Sequence, residues 1–204
     1  MRIFDVGAPE GEQVVGDRYL TVPNLLTVAR LASLPLVWSD LVSGRLLRAT
    51  IVVAVVGLTD WFDGYLARRL DQITRLGKLL DPIGDRALLA VVGIGSVVAG
   101  VLPGWAVLVL LVREVLVALP GLVLLARGRA LPETSRLGKA STMGIMIALP
   151  LFLLASATEG SWPGGGSAGV VRTAAWVILL PNLALAYAAA VGYALRMRGS
   201  GARG

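Results

Sequence analysis

Six long apolar stretches, separated by short polar segments, make up most of the chain. They cover about residues 25–42, 47–67, 79–101, 105–126, 140–157 and 173–195. Each has close to the roughly 20 residues that a helix needs to cross the hydrocarbon core of a bilayer. The pattern therefore predicts an all-α protein, an integral membrane bundle of six transmembrane helices with a short juxtamembrane segment before it.

The composition supports this class. The chain has 204 residues, of which 56% are hydrophobic and 16% charged, and its mean hydropathy is +0.77. A soluble domain is less apolar and carries about a quarter charged residues. We expect a polar, cytoplasmic N-terminal segment over residues 1–19, which lacks the apolar run of a signal peptide. One membrane domain should follow over residues 20–196, with a basic tail over 197–204.

Two absent residue types restrict the chemistry. The chain contains no cysteine and no histidine. Disulfides, thiolate metal sites, imidazole bases and histidine-ligated zinc are therefore excluded. Carboxylates remain as the expected acid–base groups.

The distribution of basic residues predicts the orientation. The net charge is +6, with basic residues in the loops between apolar spans, which favours contact with anionic lipid headgroups rather than nucleic acid. Only Arg45, Arg48 and Arg172 fall on one side of the predicted membrane, whereas the loops and termini on the other side hold thirteen basic residues. The positive-inside rule makes the basic side cytoplasmic. We expect a multi-pass protein of a bacterial-type plasma membrane with both termini inside.

Four aspartates in and beside apolar sequence are the candidate chemistry. Asp60 and Asp63 end the second span, and Asp81 and Asp85 open the third. On a helix, each pair lies on one face. Carboxylates are costly in such surroundings and repel each other unless cations lie among them. Hard cations with oxygen ligands, Mg²⁺ or Mn²⁺, are the expected occupants, at the cytoplasmic face.

The same stretch resembles a known family. Asp60-x-x-Asp63-Gly64-x-x-Ala67-Arg68, eight residues, then Gly77-x-x-x-Asp81-x-x-x-Asp85 is similar to the signature of the CDP-alcohol phosphatidyltransferases without a gap. The resemblance extends upstream to the residues Pro23–Thr27 and Arg30, and downstream to Arg113-Glu114 and Gly138-Lys139. It implies transfer of a phosphatidyl group from CDP-diacylglycerol to an alcohol, with release of CMP.

The resemblance also implies roles for individual residues. It makes Asp60, Asp63 and Asp81 principal ligands of two metal ions, and Asp85 the general base with a share in the second metal. It places Asn24, Thr27, Asp60, Gly64, Arg68 and Thr74 at the CDP-diacylglycerol donor. Arg30 is expected to point, with Asn24 and Thr27, to a phosphate or nucleobase. A homodimer is expected from the resemblance alone.

The acceptor alcohol is the least constrained part of the function. Arg113, Arg136 and Lys139 are expected to hold the phosphate of an anionic acceptor, although Arg113 is also next to Glu114, a possible ion-pair partner. The segments LTVPNLLTVARL and SRLGKAST are more similar to the actinobacterial cardiolipin synthases of the family, which use phosphatidylglycerol. Glycerol 3-phosphate, the acceptor of the phosphatidylglycerophosphate synthases, stays open as an alternative. A small cation transporter or channel, in which the carboxylates bind ions in transit, is the alternative of another class.

Overall fold

The backbone is helical throughout its long segments. The computed structural model describes the backbone of residues 22–70, 75–126, 136–159 and 166–201, and the side chains of residues 25–59, 83–119, 137–159 and 166–192. Within these ranges there are six α-helices and no strand. They are α1 (Val22–Val42), α2 (Leu46–Leu70), α3 (Arg75–Val98), α4 (Gly104–Ala126), α5 (Arg136–Ala157) and α6 (Gly166–Gly201). The all-α prediction is confirmed.

Each predicted apolar span corresponds to one helix, but the bounds differ. Most helices extend beyond their spans, whereas α3 ends at Val98, before the predicted end of its span at residue 101. α3 begins at Arg75 and α5 at Arg136, so the predicted turn over residues 68–78 and loop over residues 127–139 are both too long. Lys and Arg are good helix formers, so the charged residues that end an apolar span do not end the helix. As a result Arg136 and Lys139 lie in the first turn of α5.

Three helices are long and apolar enough, within the described residues, to cross a membrane. Their apolar stretches are Leu25–Val42, Leu137–Ala157 and Gly166–Gly192, and α2 adds a shorter apolar stretch, Leu46–Thr59. Large apolar side chains are also exposed on the outside of the bundle, including Leu108, Val170 and Val177. Continuous exposed apolar surface is typical of a face that contacts lipid or protein.

The helices pack closely in two pairs. The most extensive contacts join α5 with α6 and α1 with α3. Gly144 of α5 lies against Asn182 of α6, where a Cβ atom on the glycine would be 2.2 Å from Cγ of the asparagine. Small residues at such crossings allow helix backbones to approach closely in membrane bundles. The α1–α3 pair is the one that positions the site.

Candidate active site

A partly buried ion pair joins α1 to α3, about two to three turns into each helix. Nη1 of Arg30 donates a hydrogen bond of 2.7 Å to Oδ1 of Asp85. The Arg30 side chain is 2% exposed and that of Asp85 38% exposed. Arg30 therefore reaches from inside the bundle to one oxygen of a partly exposed carboxylate.

Gly84 of α3 lies against α1. A Cβ atom on Gly84 would lie 3.6 Å from Cγ2 of Thr27 and 3.7 Å from Cδ of Arg30, at ordinary van der Waals distances. Thr27 is 1% exposed. Thr27 and Arg30 of α1 therefore pack beside the residue that precedes Asp85.

The four predicted aspartates lie on two consecutive helices. Asp60 and Asp63 are in α2, and Asp81 and Asp85 are in α3. Because α3 is helical from Arg75 onwards, residues 81 and 85 are one turn apart on one face, as predicted. Among these four, Asp85 alone falls within the described side chains, so the convergence of the carboxylates stays a prediction.

The fit to a metal ion can be tested on Asp85. Its carboxylate is hydrogen-bonded at Oδ1 and partly exposed, so it offers oxygen to a hard cation while Arg30 fixes its orientation. Carboxylate oxygen is the ligand type that Mg²⁺ and Mn²⁺ prefer. No group of three potential metal ligands occurs among the side chains that the structure describes. The residues present fit a hard cation, and its full ligand set stays a prediction.

The other predicted donor residues are placed only by their helices. Asn24 lies in the first turn of α1, and Gly64 and Arg68 lie near the end of α2. The side chains of Asn24, Asp60, Asp63, Gly64, Arg68, Asp81 and Arg136 are outside the described side chains, and Thr74 is outside the described residues altogether. Their donor and metal roles stay predictions.

A second group of charged side chains connects α3, α4 and α5. Nη1 of Arg113 donates a short hydrogen bond to Oε1 of Glu114, and Nη2 donates one of 3.2 Å to Oγ1 of Thr142. Nε of Arg86 lies 3.8 Å from Oε2 of Glu114. Arg113 is buried and Glu114 nearly so. The ion pair that the sequence left open for Arg113 is therefore present.

The basic residues of α5 differ in their surroundings. Lys139 is exposed in the first turn. One residue before it, the carbonyl of Gly138 accepts hydrogen bonds from Oγ of Ser141 at 2.9 Å and from Oγ1 of Thr142 at 3.0 Å. Because Thr142 also accepts the bond from Arg113, the start of α5 is tied to the middle of α4.

Sequence reasoning missed three participants. It pointed Arg30 to a phosphate or nucleobase, whereas the structure pairs it with Asp85; it gave no role to Arg86 or Thr142. The signal for Arg30 was available, since an arginine within an apolar span needs a counter-charge. Spacing along one helix cannot say which carboxylate of another helix supplies it.

These features define a helical membrane-type protein with a charged pair where α1 packs against α3. Comparison with known proteins gives the class. Residues 20–190 match the CDP-alcohol phosphatidyltransferase family, and the chain belongs to that family of enzymes.

Several curated relatives are similar over most of their length. A protein named cardiolipin synthase (CMP-forming), from Streptomyces coelicolor, is 36% identical over 96% of this chain and 93% of its own. A putative cardiolipin synthase from Mycobacterium tuberculosis is 36% identical over 89% of this chain and 84% of its own. The CDP-diacylglycerol–glycerol-3-phosphate 3-phosphatidyltransferase of Bacillus subtilis is 34% identical over 65% of this chain and 76% of its own.

Proposed function

We propose that this enzyme transfers the phosphatidyl group of CDP-diacylglycerol to phosphatidylglycerol, giving cardiolipin and CMP. The observation that carries the choice of acceptor is the likeness to the Streptomyces cardiolipin synthase, at 36% identity over 96% of the chain. The glycerol-3-phosphate enzyme of Bacillus subtilis matches over only 65%, so its acceptor is the second candidate. Membership of the family leaves a cation transporter without support.

The proposed setting is a plasma membrane that the six helices cross, with the aspartates at the cytoplasmic face. Three helices with stretches able to span the bilayer, and the exposed apolar side chains, support the membrane setting. The excess of basic residues in the loops on the aspartate side supports the orientation. A water-soluble nucleotide product would leave directly into the cytoplasm. A homodimer remains part of the proposal through the family resemblance.

The transfer is a single displacement at the β-phosphorus of the donor. The acceptor hydroxyl loses its proton to the Asp85 carboxylate as its oxygen forms a bond to phosphorus. The bond from phosphorus to the oxygen of CMP breaks, and CMP leaves with that electron pair. Mg²⁺ or Mn²⁺, held by Asp60, Asp63, Asp81 and Asp85, would neutralise charge on the pyrophosphate.

Arg30 acts on this step through Asp85. A carboxylate that rotates freely is aligned with the acceptor hydroxyl only part of the time. The hydrogen bond from buried Arg30 holds Oδ1 and so restricts the rotation of the carboxylate. We therefore assign Arg30 as a positioning residue, because the reacting hydroxyl would meet Asp85 and not the guanidinium.

Arg113, Arg136 and Lys139 remain the proposed acceptor residues. Glu114 and Thr142 hold the Arg113 guanidinium, so its orientation is set before the acceptor binds. Glu114 neutralises part of the positive charge of Arg113 and Arg86. A phosphodiester, with one negative charge, suits such a partly neutralised group better than the dianionic phosphate of glycerol 3-phosphate.

The test is the identity of the product. Purified protein receives CDP-diacylglycerol with Mg²⁺ or Mn²⁺, and either phosphatidylglycerol or glycerol 3-phosphate. We expect cardiolipin and CMP from the first mixture, no product from the second, and no reaction after chelation of the metal. Phosphatidylglycerophosphate formed from glycerol 3-phosphate, with phosphatidylglycerol unused, would overturn the acceptor but not the transfer reaction.

A further inference from the structure

The end of the bundle opposite the aspartates has its own charged group. Asp40, near the end of α1, is fully buried, and its two oxygens lie 3.1 Å from Nε of Arg45 and 3.2 Å from Nε of Arg48. These are contacts at ion-pair distance and not aligned hydrogen bonds. One carboxylate thus faces two guanidinium groups, which leaves one positive charge in excess.

A third arginine on this side of the membrane is locally neutralised. Nη1 of Arg172 is 2.7 Å from Oε1 of Glu159, and its Nη2 donates a hydrogen bond of 3.2 Å to Oγ of Ser156. These three arginines are the ones that the loop charges assign to this side, and they come from two parts of the sequence. Their net charge with Asp40 and Glu159 is one positive.

These side chains border an open cleft between the beginning of α2 and the end of α5. The cleft has a volume of about 550 Å³, and its lining includes Arg45, Arg48, Ile51, Val52, Ser156 and Ala157. Arg45 and Arg48 are about half exposed, whereas Ile51, one turn into α2, is an exposed apolar residue. The cleft thus has cations at its mouth and an apolar wall that continues along the helix.

We propose that this cleft binds an anionic phospholipid of the outer leaflet, with its phosphodiester at Arg45 and Arg48 and an acyl chain along Ile51 and Val52. The single excess positive charge matches the single negative charge of a phosphodiester. Asp40 contacts both guanidinium groups at Nε, and Nη2 of Arg45 also donates a hydrogen bond of 3.3 Å to Oγ of Ser39. The remaining outer N–H groups would donate to the phosphate. The inference rests on the membrane orientation proposed above and not on the acceptor.

A second explanation is that the two arginines serve only to neutralise buried Asp40. The two explanations differ in whether the binding of an anionic lipid depends on the net charge of Asp40, Arg45 and Arg48. Arg48→Gln leaves Arg45 to pair with Asp40 and reduces the excess charge to zero. Asp40→Asn raises it to two, and the double variant returns it to one.

Lipid in the cleft can be detected with a fluorophore on an introduced cysteine, because the chain has no native cysteine that would also be labelled. A bimane fluorophore is attached at Ala157→Cys, which lines the cleft, and for comparison at Val98→Cys, an exposed position at the end of α3. The protein is placed in phosphatidylcholine vesicles that contain equal small fractions of brominated phosphatidylglycerol or brominated phosphatidylcholine, without CDP-diacylglycerol. Quenching reports which lipid lies next to each position.

We expect brominated phosphatidylglycerol to be enriched about fivefold over brominated phosphatidylcholine at position 157, the effect of one cation near an anionic lipid, and not at position 98. Enrichment should disappear in Arg48→Gln, increase in Asp40→Asn and return in the double variant. Enrichment at position 157 that is the same in the wild type and in all three variants would overturn the proposal. Loss of quenching on adding inorganic phosphate would also overturn it, in favour of a small-anion site. Because no donor is present, failure of the proposed transfer reaction would leave this result unaffected.

Discussion

Nη1 of Arg30 lies 2.7 Å from Oδ1 of Asp85, across the contact between α1 and α3. The arginine is buried and the aspartate is partly exposed, so a side chain inside the bundle holds one that reaches its surface. The sequence motif alone does not show this pairing. In the proposed reaction Asp85 would take the proton of the acceptor hydroxyl, and Arg30 would set the position of Asp85.

The first prediction concerns Arg30. Arg30→Gln should reduce kcat by about 10²-fold, the cost of misplacing a reacting group by about 1 Å, with little change in KM for CDP-diacylglycerol. Arg30→Lys should recover part of the loss, because it restores the charge but not the planar geometry of the guanidinium. Steady-state kinetics with both substrates varied give the result. Wild-type kcat in folded Arg30→Gln, with only thermal stability lowered, would show that the pair is purely structural.

The second prediction separates the base from a metal ligand. Asp85→Asn should reduce turnover by at least about 10²-fold, as is typical for loss of a general base, while metal and nucleotide binding stay largely intact. Asp60→Asn should also weaken metal binding. Calorimetric titration with Mn²⁺, beside an activity assay, measures both quantities. Near-normal turnover in Asp85→Asn would refute the assignment of Asp85 as base.

The third prediction concerns the acceptor. Arg113→Gln should raise KM for phosphatidylglycerol more than KM for CDP-diacylglycerol. The reason is that Arg113 belongs to the charged group with Glu114 and Arg86 and not to the Arg30–Asp85 pair. Thr142→Val removes one hydrogen bond to Arg113 and keeps its charge, so its effect on the same KM should be smaller. Equal effects of Arg113→Gln on both KM values would argue against acceptor binding.

The fourth prediction concerns helix packing. Gly144→Ala places a methyl group against Asn182 and should destabilise the fold by about 1–3 kcal/mol, the usual cost of overpacking. Gly57→Ala is the matched control, because a Cβ atom there meets no atom within 4 Å and alanine is the better helix former by up to about 1 kcal/mol. Thermal unfolding in detergent should therefore show a lowered midpoint for the first variant and an unchanged or raised one for the second.

The helices were predictable from the sequence because each apolar span has a length that few other structures explain. The residues at which the helices begin and end were not predictable. Basic residues such as Arg75 and Arg136 are compatible both with a helix and with the polar segment between two helices. The spacing of Asp81 and Asp85 gave their common face correctly, because that is a property of one helix. The partner of Arg30 is 55 residues away, and such a pairing between helices has no local signature. The charged cleft at the other end of the bundle was not predictable for the same reason, because its lining comes from two helices that are far apart in the sequence.

The Arg30–Asp85 pair also has a consequence for how the chain enters a membrane. Arg30 is synthesised 55 residues before the carboxylate that it binds. At about 5–20 residues per second, the ribosome needs about 3 to 11 s to cover that distance. During this interval α1 carries a guanidinium whose counter-charge does not yet exist, at a cost of up to about 3.5 kcal/mol near the middle of a bilayer. The first helix should therefore wait at the membrane surface or the translocon until the third arrives, and the two should enter the lipid together.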